Sequence, residues 1–111
     1  MEVTFRKEGK TLIIDMIGEL DHHASSIIRD KIDREISRTS TKNLIFDLKG
    51  LTFMDSSGIG VMLGRYKLIR KLDGKACLIH LNAQVSRIVN LSGMHKIIPT
   101  YNHLQEALEK M

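Results

Sequence analysis

Asp55, Ser56, Ser57 and Gly58 place a carboxylate, two hydroxyls and a glycine at four consecutive positions. Beyond them, apolar residues at Ile59, Met62, Leu63, Tyr66 and Ile69 recur at helical spacing, so the tetrad opens an amphipathic helix that runs to Lys71. A hydroxyl at the head of a helix ordinarily caps the free backbone N–H groups, and Ser56 or Ser57 could do so equally well. Two serines supply one hydroxyl more than a cap requires. At a strand-to-helix turn the spare one lies exposed beside a carboxylate, and the chemistry open to it is acceptance of a phosphoryl group.

The same stretch carries Gly58, Gly60 and Gly64, although an interior helix glycine costs roughly 0.8–1 kcal/mol relative to alanine. Gly60 and Gly64 share a helix face with Ser56, Lys67 and Lys71. Two explanations stand side by side. The helix packs closely on a sheet along its glycines, or the backbone of a partner approaches that face beside Ser56.

Other chemistries lack their parts. Met54 to Gly58 does not form the G-x-S-x-G elbow of a serine hydrolase. Gly58, Gly60 and Gly64 only loosely resemble a dinucleotide fingerprint, and 111 residues are too few for a full dinucleotide-binding domain. His22 and His23 are adjacent, so on a helix they point about 100° apart, and no cysteine or carboxylate set completes a metal site. They read instead as exposed helix-start residues available to a partner. Asp47 resembles a receiver-domain phosphoacceptor by position alone, without the acidic pair and lysine such a site needs. The reading is therefore of a chain with no cofactor, no metal and no catalytic set.

The formal charge of +4 invites a nucleic-acid reading, but the basic residues are scattered from Arg6 to Lys110 among acids, and 5% aromatic content leaves few platforms for bases. With 42% apolar and 27% charged residues, a chain of this length is expected to form one domain over residues 1–111. No apolar run reaches the length of a membrane span. The single cysteine, Cys77, cannot form an internal disulfide, and Met1 to Lys10 lacks a secretory signal, so a cytoplasmic protein is expected.

The elements that must position the tetrad follow from pattern and punctuation. Val3–Arg6 and Thr11–Ile17 form a hairpin about Gly9, and Gly18 ends the second strand. Asp21 caps a helix of about fifteen residues with Ala24, Ile27, Ile28, Ile32 and Ile36 inward. Asn43–Leu48 is a central strand, and Lys49–Thr52 crosses to the glycine-rich helix, which Asp73-Gly74 stops. Lys75–Leu81 is another strand, and Asn82 begins a short helix broken at Gly93. Ile97-Ile98 forms an edge strand before Pro99, and Asn102 with Gln105 caps a final helix with Leu104, Ala107, Leu108 and Met111 inward.

This order predicts an α/β fold: a mixed, mostly parallel sheet of four to five strands with about four helices packed on it. The loops after Ile17 and Leu48 both leave carboxyl ends of strands, where open α/β sheets bind ligands and partners. Asp21 and Ser56 are thereby expected on one rim.

Three segments carry a resemblance. Gly18-Glu19-Leu20-Asp21-His22-His23, the run from Phe53 through Lys67, and Ser92 through Ile98 resemble the anti-sigma factor antagonists of the STAS family, in particular its sporulation subgroup. The similarity extends over essentially the whole chain. It implies a STAS fold and a regulatory rather than enzymatic protein, monomeric when free, that binds neither nucleic acid nor membrane. It further implies that the unphosphorylated form binds an anti-sigma factor that is also a serine kinase, displacing the sigma factor. The kinase then phosphorylates the serine after the motif aspartate, here Ser56, and a PP2C-type phosphatase resets it. The implied contact surface is Asp21, His22, His23, Asp55, Ser56, Ser57, Gly58, Gly60, Gly64 and Lys67. The alternative is a STAS module that binds nucleotide or serves as a stressosome-type scaffold.

Overall fold

The computed structural model describes residues 1–111. Strands β1 (Glu2–Glu8) and β2 (Thr11–Leu20) form the expected antiparallel hairpin, with Gly9 at φ 61° in its turn. Helix α1 (His22–Arg38) leads to β3 (Asn43–Asp47), then β4 (Leu51–Met54) and helix α2 (Ser56–Lys71). Strand β5 (Ala76–Ile79), helix α3 (Ala83–Ser92), a short turn of 3-10 helix at Met94–Lys96, strand β6 (Thr100–Tyr101) and helix α4 (Leu104–Lys110) complete the chain. Six strands make one mixed sheet in the order β1-β2-β3-β5-β6, with β4 paired to the end of β2. All pairings except β1–β2 are parallel.

Alternation along the strands divides the core in two. Leu12, Ile14, Met16, Leu44, Phe46 and Leu78 face α1, α2 and α3, where they meet Ile28, Ile32, Val61, Met62, Ile69, Val85 and Val89. Ile13, Ile45, Cys77 and Ile79 face the other way, onto Ala107 of α4 with Leu104, Leu108 and Met111 beside it.

Several boundaries differ from expectation, each for a local reason. Strand β2 does not end at Gly18 but runs to Leu20, because at Gly18 it exchanges β3 for β4 as its neighbour with a register shift. The segment read as a plain crossover, Lys49–Thr52, thus runs into β4, whose second half is Phe53 and Met54, and β4 gives the sheet its sixth strand. Ile27 is 59% exposed, since the inward row of α1 steps by fours through Ala24, Ile28, Ile32 and Ile36. Ile98 is buried but not in a strand; pairing resumes only at Thr100, past Pro99. Asn102 does not cap α4. The cap position is His103, which makes no side-chain cap bond, and instead Glu106 reaches back to accept from the Asn102 nitrogen at 2.8 Å.

Candidate functional site

Two helix starts meet at the carboxyl ends of β2 and β4. Asp21 caps α1, its Oδ1 accepting from the nitrogens of His23 and Ala24, each at 3.0 Å. Asp55 caps α2, its Oδ1 accepting from Ser57 at 2.9 Å and Gly58 at 3.2 Å. Neither Ser56 nor Ser57 is the cap: the carboxylate before them supplies two donors with an acceptor at once, leaving the hydroxyls free. The second oxygen of Asp55 accepts from the His22 nitrogen at 2.9 Å, so the same side chain joins the two helix starts. Burial acts to raise the Asp55 pKa, but the N–H groups of Gly58, His22 and Ser57 outweigh it and hold the carboxyl below its ordinary value.

Ser56 occupies the first position of α2, is exposed, and its hydroxyl makes no hydrogen bond within the chain. Ser57 is half-buried. The three glycines divide by environment. A Cβ on Gly58 would run into the Leu20 carbonyl oxygen and lie 2.9 Å from the Leu20 Cγ, so close packing accounts for this one. Gly60 and Gly64 have nothing within 4 Å of a Cβ position, and the packing explanation fails for them.

What they line is a groove of about 550 Å³ between α1 and α2. His22, Ser25, Ser26 and Arg29 form one wall at i, i+3, i+4, i+7 spacing; Ser57, Gly60, Val61, Gly64 and Arg65 form the other, continuing that spacing to i+8. Val61 is its one apolar residue. Arg65 is held across the groove by Asp33 of α1, Nε to Oδ1 at 3.0 Å, with its side chain 14% exposed. The N–H is not aimed along that contact, which is an ion pair rather than a hydrogen bond.

The structure brings Asp21, His22, Asp55, Ser56 and Ser57 together at the two helix starts. Gly58 is buried against Leu20, Gly60 and Gly64 run down the groove, and His23 with Asp21 lines a separate cavity beside Gly18, Ile27 and Lys31. Lys67 lies exposed one turn past Gly64 on α2. The rings of His22 and His23 sit edge to face, 5.8 Å apart at 63°. Sequence reasoning missed Ser25, Ser26 and Arg29. Their polar helical row starting at His22 was the available signal.

The STAS domain family matches residues 2–107. An anti-sigma F factor antagonist of Paenibacillus polymyxa is 39% identical over 111 residues, covering 100% of this chain and 95% of that protein. Among solved structures, the anti-sigma factor antagonist SpoIIAA in its unphosphorylated form superposes with a TM-score of 0.82 at 30% identity, covering 98% of this chain and 95% of that one. The phosphorylated form of SpoIIAA, a Bacillus cell fate determinant, gives 0.73 at 29% identity, with 98% of each chain covered. The chain belongs to the STAS domain family and, within it, to the anti-sigma factor antagonists.

Proposed function

We propose that this protein is an anti-anti-sigma factor switched by phosphorylation of Ser56. Unphosphorylated, it binds an anti-sigma factor that is also a serine kinase and so releases a sporulation sigma factor; the kinase then phosphorylates Ser56 with ATP, and a PP2C-type phosphatase restores the binding form. In this reading it acts in the cytoplasm as ligand and substrate, without catalysis or cofactor of its own. The observation that carries the proposal is the free, exposed Ser56 hydroxyl beside a groove whose glycines leave room for another backbone.

Electrostatics accounts for the direction of the switch. Phosphorylation adds about −1.5 to −2 charge at the first position of α2, where a helix N-terminus favours negative charge, so the fold tolerates it. Asp55 stands beside that phosphate in the free protein as well, so what opposes binding is the strengthening of their repulsion, and the loss of phosphate hydration, when a closed interface excludes water. Each pair of like charges about 6 Å apart repels by roughly 1–3 kcal/mol at an effective dielectric of about 20–40. Each 1.4 kcal/mol is about tenfold in affinity, so partner release needs no refolding.

The direct test is competition. The unphosphorylated protein should displace sigma factor from the cognate anti-sigma kinase, and the phosphorylated protein should not. Failure of both to displace it, with nucleotide binding by calorimetry, would favour the nucleotide-binding or scaffold reading.

A further inference from the structure

The second site begins with a defect in the sheet. Leu44 N donates to Lys75 O and Leu48 N to Ile79 O, so the odd-numbered residues of β5 turn their peptide groups to β3, and Ala76 and Leu78 turn theirs to the opposite edge. Leu78 finds a partner there, donating to Pro99 O at 2.9 Å. Ala76 does not. Continuing the β5–β6 ladder back by two residues brings Ile98 opposite Ala76, so the nitrogen due to bond the Ala76 carbonyl is that of Pro99, which has no N–H to give. Ala76 is 3% exposed, with both peptide groups lacking a partner on that side. Buried backbone groups are almost always paired.

A cavity of about 200 Å³ opens on this gap. Arg70, Lys75 and Lys110 stand around it, no acidic side chain lines it, and none of the three takes part in an ion pair. Tyr66 and Tyr101 give it aromatic walls. It is too small for a nucleotide or a metabolite of ordinary size, whose pockets run from about 300 to 1,000 Å³. It suits one residue. In an antiparallel ladder a single residue exchanges both N–H and C=O bonds with the residue opposite, which is what Ala76 lacks. Tyr66 and Arg70 lie ten and fourteen residues along α2 from Ser56, roughly 15–21 Å away at the helical rise, so this is not the switch rim.

We infer that the gap at Ala76 is a docking site for an extended acidic segment of a protein partner, which sets one apolar or aromatic residue between Tyr66 and Tyr101 and its flanking carboxylates against Arg70, Lys75 and Lys110. Backbone pairing supplies the attachment, and the three unneutralised cations select the charge.

The test uses the whole protein, labelled with nitrogen-15, and a capped pentapeptide with four acidic residues around a central phenylalanine. The expected result is a saturable shift of the Ala76 amide resonance with slowed hydrogen exchange there, and at least tenfold weaker binding to the Lys75→Glu/Lys110→Glu variant. Both lysines are exposed, so the variant should keep its fold, checked by circular dichroism. No shift at millimolar peptide would overturn the inference. So would equal binding to the charge-reversed variant, or an equal Ala76 shift with glutarate alone, which would reduce the site to a simple anion pocket.

Discussion

The nitrogen of His22 donates to Asp55 Oδ2 at 2.9 Å, so the carboxylate that starts α2 also fastens the start of α1. Because the Asp55 pKa is depressed in the folded protein, its contribution is present above the unfolded value near ~4 and is lost as pH falls through the folded one. Urea midpoints measured from pH 7 to pH 3 should show this acid loss in the wild type. In Asp55→Asn the midpoint at pH 7 should be lower and the acid loss smaller. An unchanged profile would mean that the three N–H bonds do not hold the ionised form.

The glycines should respond with opposite signs. Gly58→Ala pushes a methyl into the Leu20 carbonyl and should destabilise the protein by about 1–3 kcal/mol, the range for overpacking. Gly60→Ala meets open space and should gain up to about 1 kcal/mol from helix propensity. Gly60→Leu should leave the melting temperature near that of the wild type while weakening the anti-sigma kinase. Loss of stability with unchanged binding would contradict the groove's role.

Asp21→Ala removes a cap whose carboxylate accepts from two backbone N–H groups and should cost about 1 kcal/mol in denaturant unfolding. If Asp21 also meets the partner, kinase affinity measured at a temperature where both proteins are fully folded should fall as well. Stability loss alone would make it only a cap.

Cys77 is fully buried, and desolvation pushes its thiol pKa up to about 12. The native protein should therefore resist a thiol reagent at pH 8 over hours, and react at once in denaturant. Rapid labelling of the native state would show that the packing of Cys77 against α4 opens on that time scale.

Periodicity exposed the helices because each has one buried face, and near-continuous apolar runs exposed the central strands β2, β3 and β5, which are buried on both faces. Asp21 was legible as a cap since it precedes a helical row without competitors. The cap of α2 was not, because Asp55, Ser56 and Ser57 are all good capping residues and only geometry shows that the first takes the bonds. β4 was hidden because four residues have too few alternations to read, and its pairing depends on β2 changing neighbours at Gly18. Gly60 and Gly64 could not be assigned to packing or to open space from spacing alone. The two polar rows that face each other across the groove require knowing that α1 and α2 are adjacent.

Ser56→Asp should bind the anti-sigma kinase at least tenfold more weakly than the unphosphorylated wild type, whereas Ser56→Ala should bind like it. Equal affinity of the two variants would sink the electrostatic account of release.

The most direct measurement is intact mass with site localisation after incubation with ATP and the cognate anti-sigma kinase, for the wild type, Ser56→Ala and Ser57→Ala. The account predicts one added phosphate on the wild type and on Ser57→Ala, and none on Ser56→Ala. Phosphate retained by Ser56→Ala, or absent from all three, would contradict it.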